Sequence, residues 1–233
     1  MYSFFYLVIA LVDFIILVWA LRLLSRYPTN GLLYATVPLT FLWVDNFAVG
    51  IGRFLGEGDL LLYLTYIRYL AHYIGMPLSI IALGAMAREA GFAWAQPKAV
   101  MALFCLVAVF FIVDDMYIFL QLDFYPACVE DTFRYLTQVS EDRACSPDSF
   151  VGGDRVPPFA PITFTVGMIA LGLLLWWRDG WKWMALGSIC AMPLFAAPST
   201  VAGGILGNVG EPILSFAFVA SAAWIARTFP QSS

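Results

Sequence analysis

Seven apolar runs, each close to or above the length that crosses a bilayer, occupy most of this chain, with mostly short polar connections between them. A crossing takes about 20 apolar residues, because a helix rises about 1.5 Å per residue through a hydrocarbon core roughly 30 Å thick. In that core every backbone polar group must be paired within the structure, so helices are the elements to expect. The runs predict helices over about Phe4 to Leu24, Leu32 to Phe54, Leu60 to Ala87, Ala99 to Leu120, Ile162 to Trp177, Trp181 to Ala197 and Ile205 to Ala226. With 62% hydrophobic and 12% charged residues and a mean hydropathy of +0.83, the chain lies outside soluble globular averages. The expected fold class is an all-α integral membrane protein: one domain over residues 1–233, a seven-transmembrane-helix bundle.

The N-terminus, Met1 to Tyr6, lacks the basic region of a signal peptide and its apolar run continues too far for one, so it reads as a retained first helix. Arg22, Arg26, Arg88, Lys98, Arg178, Lys182 and Arg227 fall on one side of the expected bundle; Arg53, Arg134, Arg143 and Arg155 fall on the other. The side richer in basic residues is cytoplasmic, which puts the N-terminus outside and the C-terminus in the cytoplasm. The long connection, about Gln121 to Pro158 and ending in Val156-Pro157-Pro158, then faces outward. It holds Cys128 and Cys145, 17 positions apart, in a context that permits a disulfide. Closing a loop of that length stabilises by about 3 kcal/mol in chain-entropy reasoning. Cys105 and Cys190 lie within apolar runs and read as inert. A net charge of −4 and the absence of basic runs give no reason to expect nucleic acid. The expected partners are the membrane and a lipophilic small molecule or lipid, and the sequence leaves the oligomeric state open.

The third run carries Arg68 and His72, the chain's only histidine. Four residues apart, they share one helical face with Thr65, Gly75, Met76 and Ser79. Ionisable groups at membrane depth are costly and mark functional sites by default. Counting along the runs places Asp13, Asp45 with Asn46, Arg68, His72, Asp114, Asp115 and Glu211 all in the outer half. One shared chamber beneath the long connection is therefore expected. Five carboxylates facing one arginine cannot all be ionised in low dielectric, so at least one is expected to hold a proton. Asp114 and Asp115, being adjacent, point about 100° apart, and only one should face the chamber.

Asp45, Glu211, His72 and Arg68 are the catalytic candidates. Asp13, Asn46, Tyr69, Tyr73, Met76, Asp114, Asp115 and Asn208 are candidates for ligand contact. The competing reading of Arg68 is a structural ion pair with Asp45 or Glu211, and of His72 a hydrogen-bonded interior side chain. A single histidine argues against zinc and multi-histidine iron sites. A carboxylate-only Mg²⁺ site is conceivable from Asp45, Glu211 and one of Asp114 and Asp115, but no acidic repeat supports it, and neither a metal nor another cofactor is expected. No P-loop, Gly-x-Ser-x-Gly elbow or His-Glu-x-x-His motif occurs.

Arg68-Tyr69 followed by Pro77-Leu78, together with Pro193 in the sixth run, resembles the microbial rhodopsin family, as does the seven-helix layout with its N-terminus outside. The resemblance implies that fold and an interior pocket. It departs where photochemistry would require agreement. Ala71 stands where the family keeps a proton-accepting acid and His72 where it keeps a tryptophan. The only lysines, Lys98 and Lys182, lie at helix ends, so the seventh run cannot form a retinal Schiff base. In size, metal-motif poverty and acids on the second and seventh helices, the chain also resembles the small seven-helix membrane terpene cyclases. That likeness implies protonation of an alkene or epoxide by a desolvated acid. The expected function is an intramembrane acid/base enzyme acting on a lipophilic substrate, most concretely a terpenoid cyclase or isomerase. The alternative is a pigment-free rhodopsin-like protein that binds a lipid as a sensor or accessory without catalysis.

Overall fold

The computed structural model describes residues 1–146, 150–152, 158–197 and 205–229. The turn read at Pro198 to Gly204, Arg155 and the Val156-Pro157 pair lie outside the described residues. Among the described residues, eight α-helices form the fold: α1 (Tyr2–Arg26), α2 (Asn30–Thr36), α3 (Leu39–Leu55), α4 (Asp59–Glu89), α5 (Lys98–Phe119), α6 (Phe159–Asp179), α7 (Trp183–Phe195) and α8 (Ile205–Thr228). Six spans among the described residues are long and apolar enough to cross a membrane; α2 and α3 together make one of them, and α7, at 13 residues, is a shorter apolar helix.

The second expected helix is thus two helices. Pro38 has no N–H to offer the Tyr34 carbonyl, so the hydrogen-bond ladder is interrupted between Thr36 and Leu39. The long connection, expected as loop, contains an antiparallel hairpin of β1 (Tyr125–Val129) and β2 (Thr132–Leu136). Its turn places Glu130 at φ 55, in the left-handed region. Cys128 and Cys145 are joined, with Cα atoms 4.9 Å apart, which pins β1 to the segment that follows the hairpin.

α4 is the central helix and packs against α2, α3, α5 and α6, while α6, α7, α8 and α1 close the ring. Its C-terminal half is built for this. From Ser79 to Ala87 every side chain is buried, and the small residues Ala82, Gly84, Ala85 and Ala87 let neighbours approach on all sides. The ring of Phe104 occupies the space that a Cβ on Gly84 would need. The main core, including Leu32, Leu83, Met86, Met168, Leu175 and Val219, sits in this half. α5 is peripheral: only Ala108 is buried, and Leu103, Leu106, Phe110 and Val113 face outward. An apolar surface of that extent suits hydrocarbon rather than water.

Both ends of the bundle are tied by polar contacts. At one, the Asp131 carboxylate in the hairpin turn accepts from the Ser3 backbone N–H at 3.1 Å and from Arg53 Nη1 at 2.6 Å. The carbonyl of Phe133 lies so close to Gly52 that a Cβ there would collide with it. At the other end, Arg178 Nη2 donates to the Ala90 carbonyl at 2.5 Å, and its guanidinium stacks on Phe92 at 3.9 Å.

The N-terminus of α2 is held from outside its own helix. Thr29 Oγ1 accepts from Leu32 N at 3.3 Å, and the buried Glu89 carboxylate accepts from Gly31 N at 2.8 Å. A carboxylate on free N–H groups at a helix start is favourable both as hydrogen bond and against the helix dipole. Glu89→Ala should therefore cost about 1–3 kcal/mol. Gly31→Ala, whose methyl would meet Glu89 Oε2 and Met86, should also destabilise. The two changes combined should cost less than their sum, because each relieves the other's clash or loss. Thermal unfolding of the three variants in detergent checks this; strict additivity would contradict it.

Candidate functional site

Four helices bring their polar residues to one point. α3 contributes Asp45 and Asn46, α4 contributes Arg68 and His72 one turn apart, and α8 contributes Asn208 and Glu211. α1 adds Asp13, which is fully buried. Arg68 Nε pairs with Asp45 Oδ1 between α4 and α3. The second oxygen of Asp45 lies 3.5 Å from His72 Nε2. The guanidinium and imidazole thus share one carboxylate.

Asn46 is the hub on the other side. Its Nδ2 donates to Asp13 Oδ2 at 3.0 Å and to Glu211 Oε2 at 2.7 Å, while its Oδ1 accepts from Asn208 Nδ2 at 2.9 Å. An amide is suited to this place because it offers donors and an acceptor without adding charge. Pro212 follows Glu211 directly and cannot donate to the Asn208 carbonyl, so the α8 ladder is open at the site.

Asp45, His72 and Glu211 each offer one ligand atom, and these lie within 4.8 Å of one another. Among the described residues, they are the group that could hold a metal ion. Their chemistry suits one poorly, since Arg68 already occupies Asp45 and brings a positive charge to the same place.

Beside this cluster lies an apolar cavity of about 530 Å³, within the range of ligand sites for drug-sized molecules. Its walls come from α2, α3, α4, α6, α7 and α8; Met76, Phe164, Phe195, Leu214 and Phe218 supply much of the surface. Glu211 and His72 are the ionisable groups in its lining, with Ser79, Thr165 and Ser215 as hydroxyls. Phe164 and Phe218 meet edge to face, centroids 4.9 Å apart. Pro38 lines the cavity at the break between α2 and α3.

The expected residues therefore separate by position. Glu211, His72 and Met76 face the cavity; Asp45, Arg68, Asn46, Asp13 and Asn208 stand in the polar network behind or beside them. Tyr69, Tyr73 and Asp115 line a smaller neighbouring cavity together with Arg68 and His72. Asp114 is exposed and lines neither cavity, as the angle between adjacent helical residues requires of one member of the pair.

Two groups escaped the sequence reading. Tyr6 is buried, and Arg134 from β2 lies over its ring, Cζ 5.9 Å from the centroid. Arg134 is only 8% exposed and has no ion-paired acid among the described residues. Burial draws its guanidinium below its ordinary value. The alternation of the β2 sequence could have marked Arg134 as an inward position; nothing local marks Tyr6.

No protein-family model matches the chain, and neither does any curated protein or solved structure.

Removing the hub should be costly. Asn46→Leu would leave Asp13 and Glu211 without their shared donor in a buried place, and should destabilise by about 2 kcal/mol or more. Adding Asp13→Asn should restore part of that loss by returning an amide to the network. Unfolding temperatures of the single and double variants test the coupling, and an unchanged temperature in Asn46→Leu would contradict it.

Proposed function

We propose that the protein is a multi-pass membrane enzyme with seven crossings, N-terminus outside and C-terminus in the cytoplasm, that performs acid/base chemistry on a lipophilic substrate held in the apolar cavity. The most concrete form of this reading is a terpenoid cyclisation or isomerisation. One observation carries it: a cavity of about 530 Å³ with an almost wholly apolar wall has a carboxyl and an imidazole, Glu211 and His72, on the same side.

The chemistry needs no further reactant. The Glu211 carboxyl gives its proton to an alkene carbon, forming a C–H bond and leaving a carbocation on the neighbouring carbon. Attack by a second alkene of the same chain closes a ring; without it the cation persists in place. Loss of a proton from an adjacent carbon to Glu211 or to His72 restores a double bond, so the product is an isomer of the substrate. A positioned general acid contributes typically about 10²- to 10⁴-fold. The faces of Phe164, Phe195 and Phe218 supply the electron-rich surface that steadies a cation in a dry site.

Asp45 and Arg68 act as positioning residues in this scheme. Their ion pair sets the imidazole of His72 against Asp45 and supplies the local charge balance. The acids outnumber the cations here, since Asp13, Asp45 and Glu211 gather around Arg68, and that excess favours a carboxyl that keeps a proton to give.

Mass spectrometry of the lipid extract from the purified protein tests the reading. Wild type is expected to carry an isoprenoid product, and Glu211→Gln an isomer of equal mass and different retention, with conversion reduced about 100-fold or more. A phospholipid or sterol bound equally to both proteins would contradict catalysis and indicate a lipid-binding protein.

A further inference from the structure

The smaller cavity, about 240 Å³, lies next to the larger one and differs from it in chemistry. Arg68, Tyr69, Tyr73 and Asp115 face it, so it offers a guanidinium, two phenols and a carboxyl. The two cavities share His72, Pro158 and Pro161 in their linings. His72, with Pro158 and Pro161, therefore stands between an apolar chamber and a more polar one.

The polar chamber is a poor receptor for a highly charged group. Its one permanent cation among the described residues, Arg68, already has Nε committed to Asp45, and Asp115 stands in the same lining. A diphosphate would set several negative charges against one shared guanidinium and a carboxylate in a poorly solvated space. A hydroxyl or carbonyl fits better: it can accept from a phenol or guanidinium, and a hydroxyl can also donate to Asp115. The phenol rings are fixed for this, Tyr69 packing against Phe124 at 4.8 Å and Tyr73 against Phe119 at 6.0 Å between ring centroids.

We infer that the ligand is a two-part amphiphile, with its apolar chain in the large cavity, its chain passing His72, and an uncharged hydroxyl- or carbonyl-bearing head held by Asp115, Tyr69 and Tyr73 in the small one. The inference rests on the reading of the large cavity as the substrate site.

Competition against radiolabelled farnesol on the full-length protein in nanodiscs tests it with three probes of one chain length: farnesol, the hydrocarbon farnesene and farnesyl diphosphate. Farnesol should bind at least tenfold more tightly than either of the others. Replacing Asp115, Tyr69 and Tyr73 by Asn, Phe and Phe should bring farnesol to the level of farnesene. Asp115→Asn alone, which keeps the shape of the site, should already narrow the gap. Ser215→Phe, which puts a ring into the large cavity, should weaken binding of both farnesol and farnesene at least tenfold. Equal affinities for farnesol and farnesene in wild type, a gap unchanged by the polar substitutions, or preference for the diphosphate would overturn the two-part ligand and leave the large cavity intact as a site. Binding of both probes unchanged by Ser215→Phe, or no farnesol binding to wild type, would instead remove the underlying reading.

Discussion

A guanidinium can be kept in an apolar helix bundle only with a counter-charge in contact, and the pairing of Arg68 with Asp45 meets that condition between α4 and α3. The rest of the polar interior follows from where that contact falls. It sets the register of the two helices, and one helical turn further along α4 it leaves His72 beside the free oxygen of Asp45. Asp45 is thereby used up on two basic groups. Asp13 and Glu211 have to find other partners, and the neutral Asn46 serves both. A buried pair of this kind is weak support for stability, because desolvation offsets most of the attraction. Its value lies in specifying one arrangement of helices around one polar point.

The cavity depends on a different constraint, the imperfect helix. Pro38 separates α2 from α3, Pro77 lies within α4, Pro193 within α7 and Pro212 within α8. Each removes a backbone donor; Pro38 lines the cavity itself, and the other three lie in helices that wall it. Where small residues let helices meet, as at Gly84 against Phe104, the structure is solid. Where prolines and phenylalanines meet, it is hollow. The hairpin lies over the end of the bundle where α1 begins and α3 ends, fastened to it through Asp131, while the Cys128–Cys145 bond ties the connection to itself.

Much of this was legible in the residues. Helix positions followed from apolar run lengths, because a bilayer-length helix leaves little choice of period or boundary. The gathering of Asp45, Arg68, His72 and Glu211 followed from depth counting alone, since unpaired charges at one depth must find each other, and the Cys128–Cys145 link followed from their shared polar connection. What was missed has local causes. Pro38 sits in an apolar run whose hydropathy never falters, so the run hid the break. The strands Tyr125–Val129 and Thr132–Leu136 are short, and length and acidity made the segment read as loop. Glu89 lies just past the third apolar run and nothing local marks it as buried, yet it is buried on the start of α2. The division of Asp45 and Glu211 between network and cavity wall depends on helix rotation, which depth counting does not contain.

In the proposed function, an apolar ligand sits inside the bundle against Glu211 and His72 rather than on its lipid-facing surface. Photolabelling with a diazirine-bearing isoprenoid alcohol, followed by peptide mass spectrometry, measures that position directly. Labels on Met76, Phe164, Phe195 and Phe218, lost when excess unlabelled farnesol is present, are the result the account predicts. Labels confined to outward residues such as Leu103, Leu106 and Phe110, and insensitive to competitor, would contradict it.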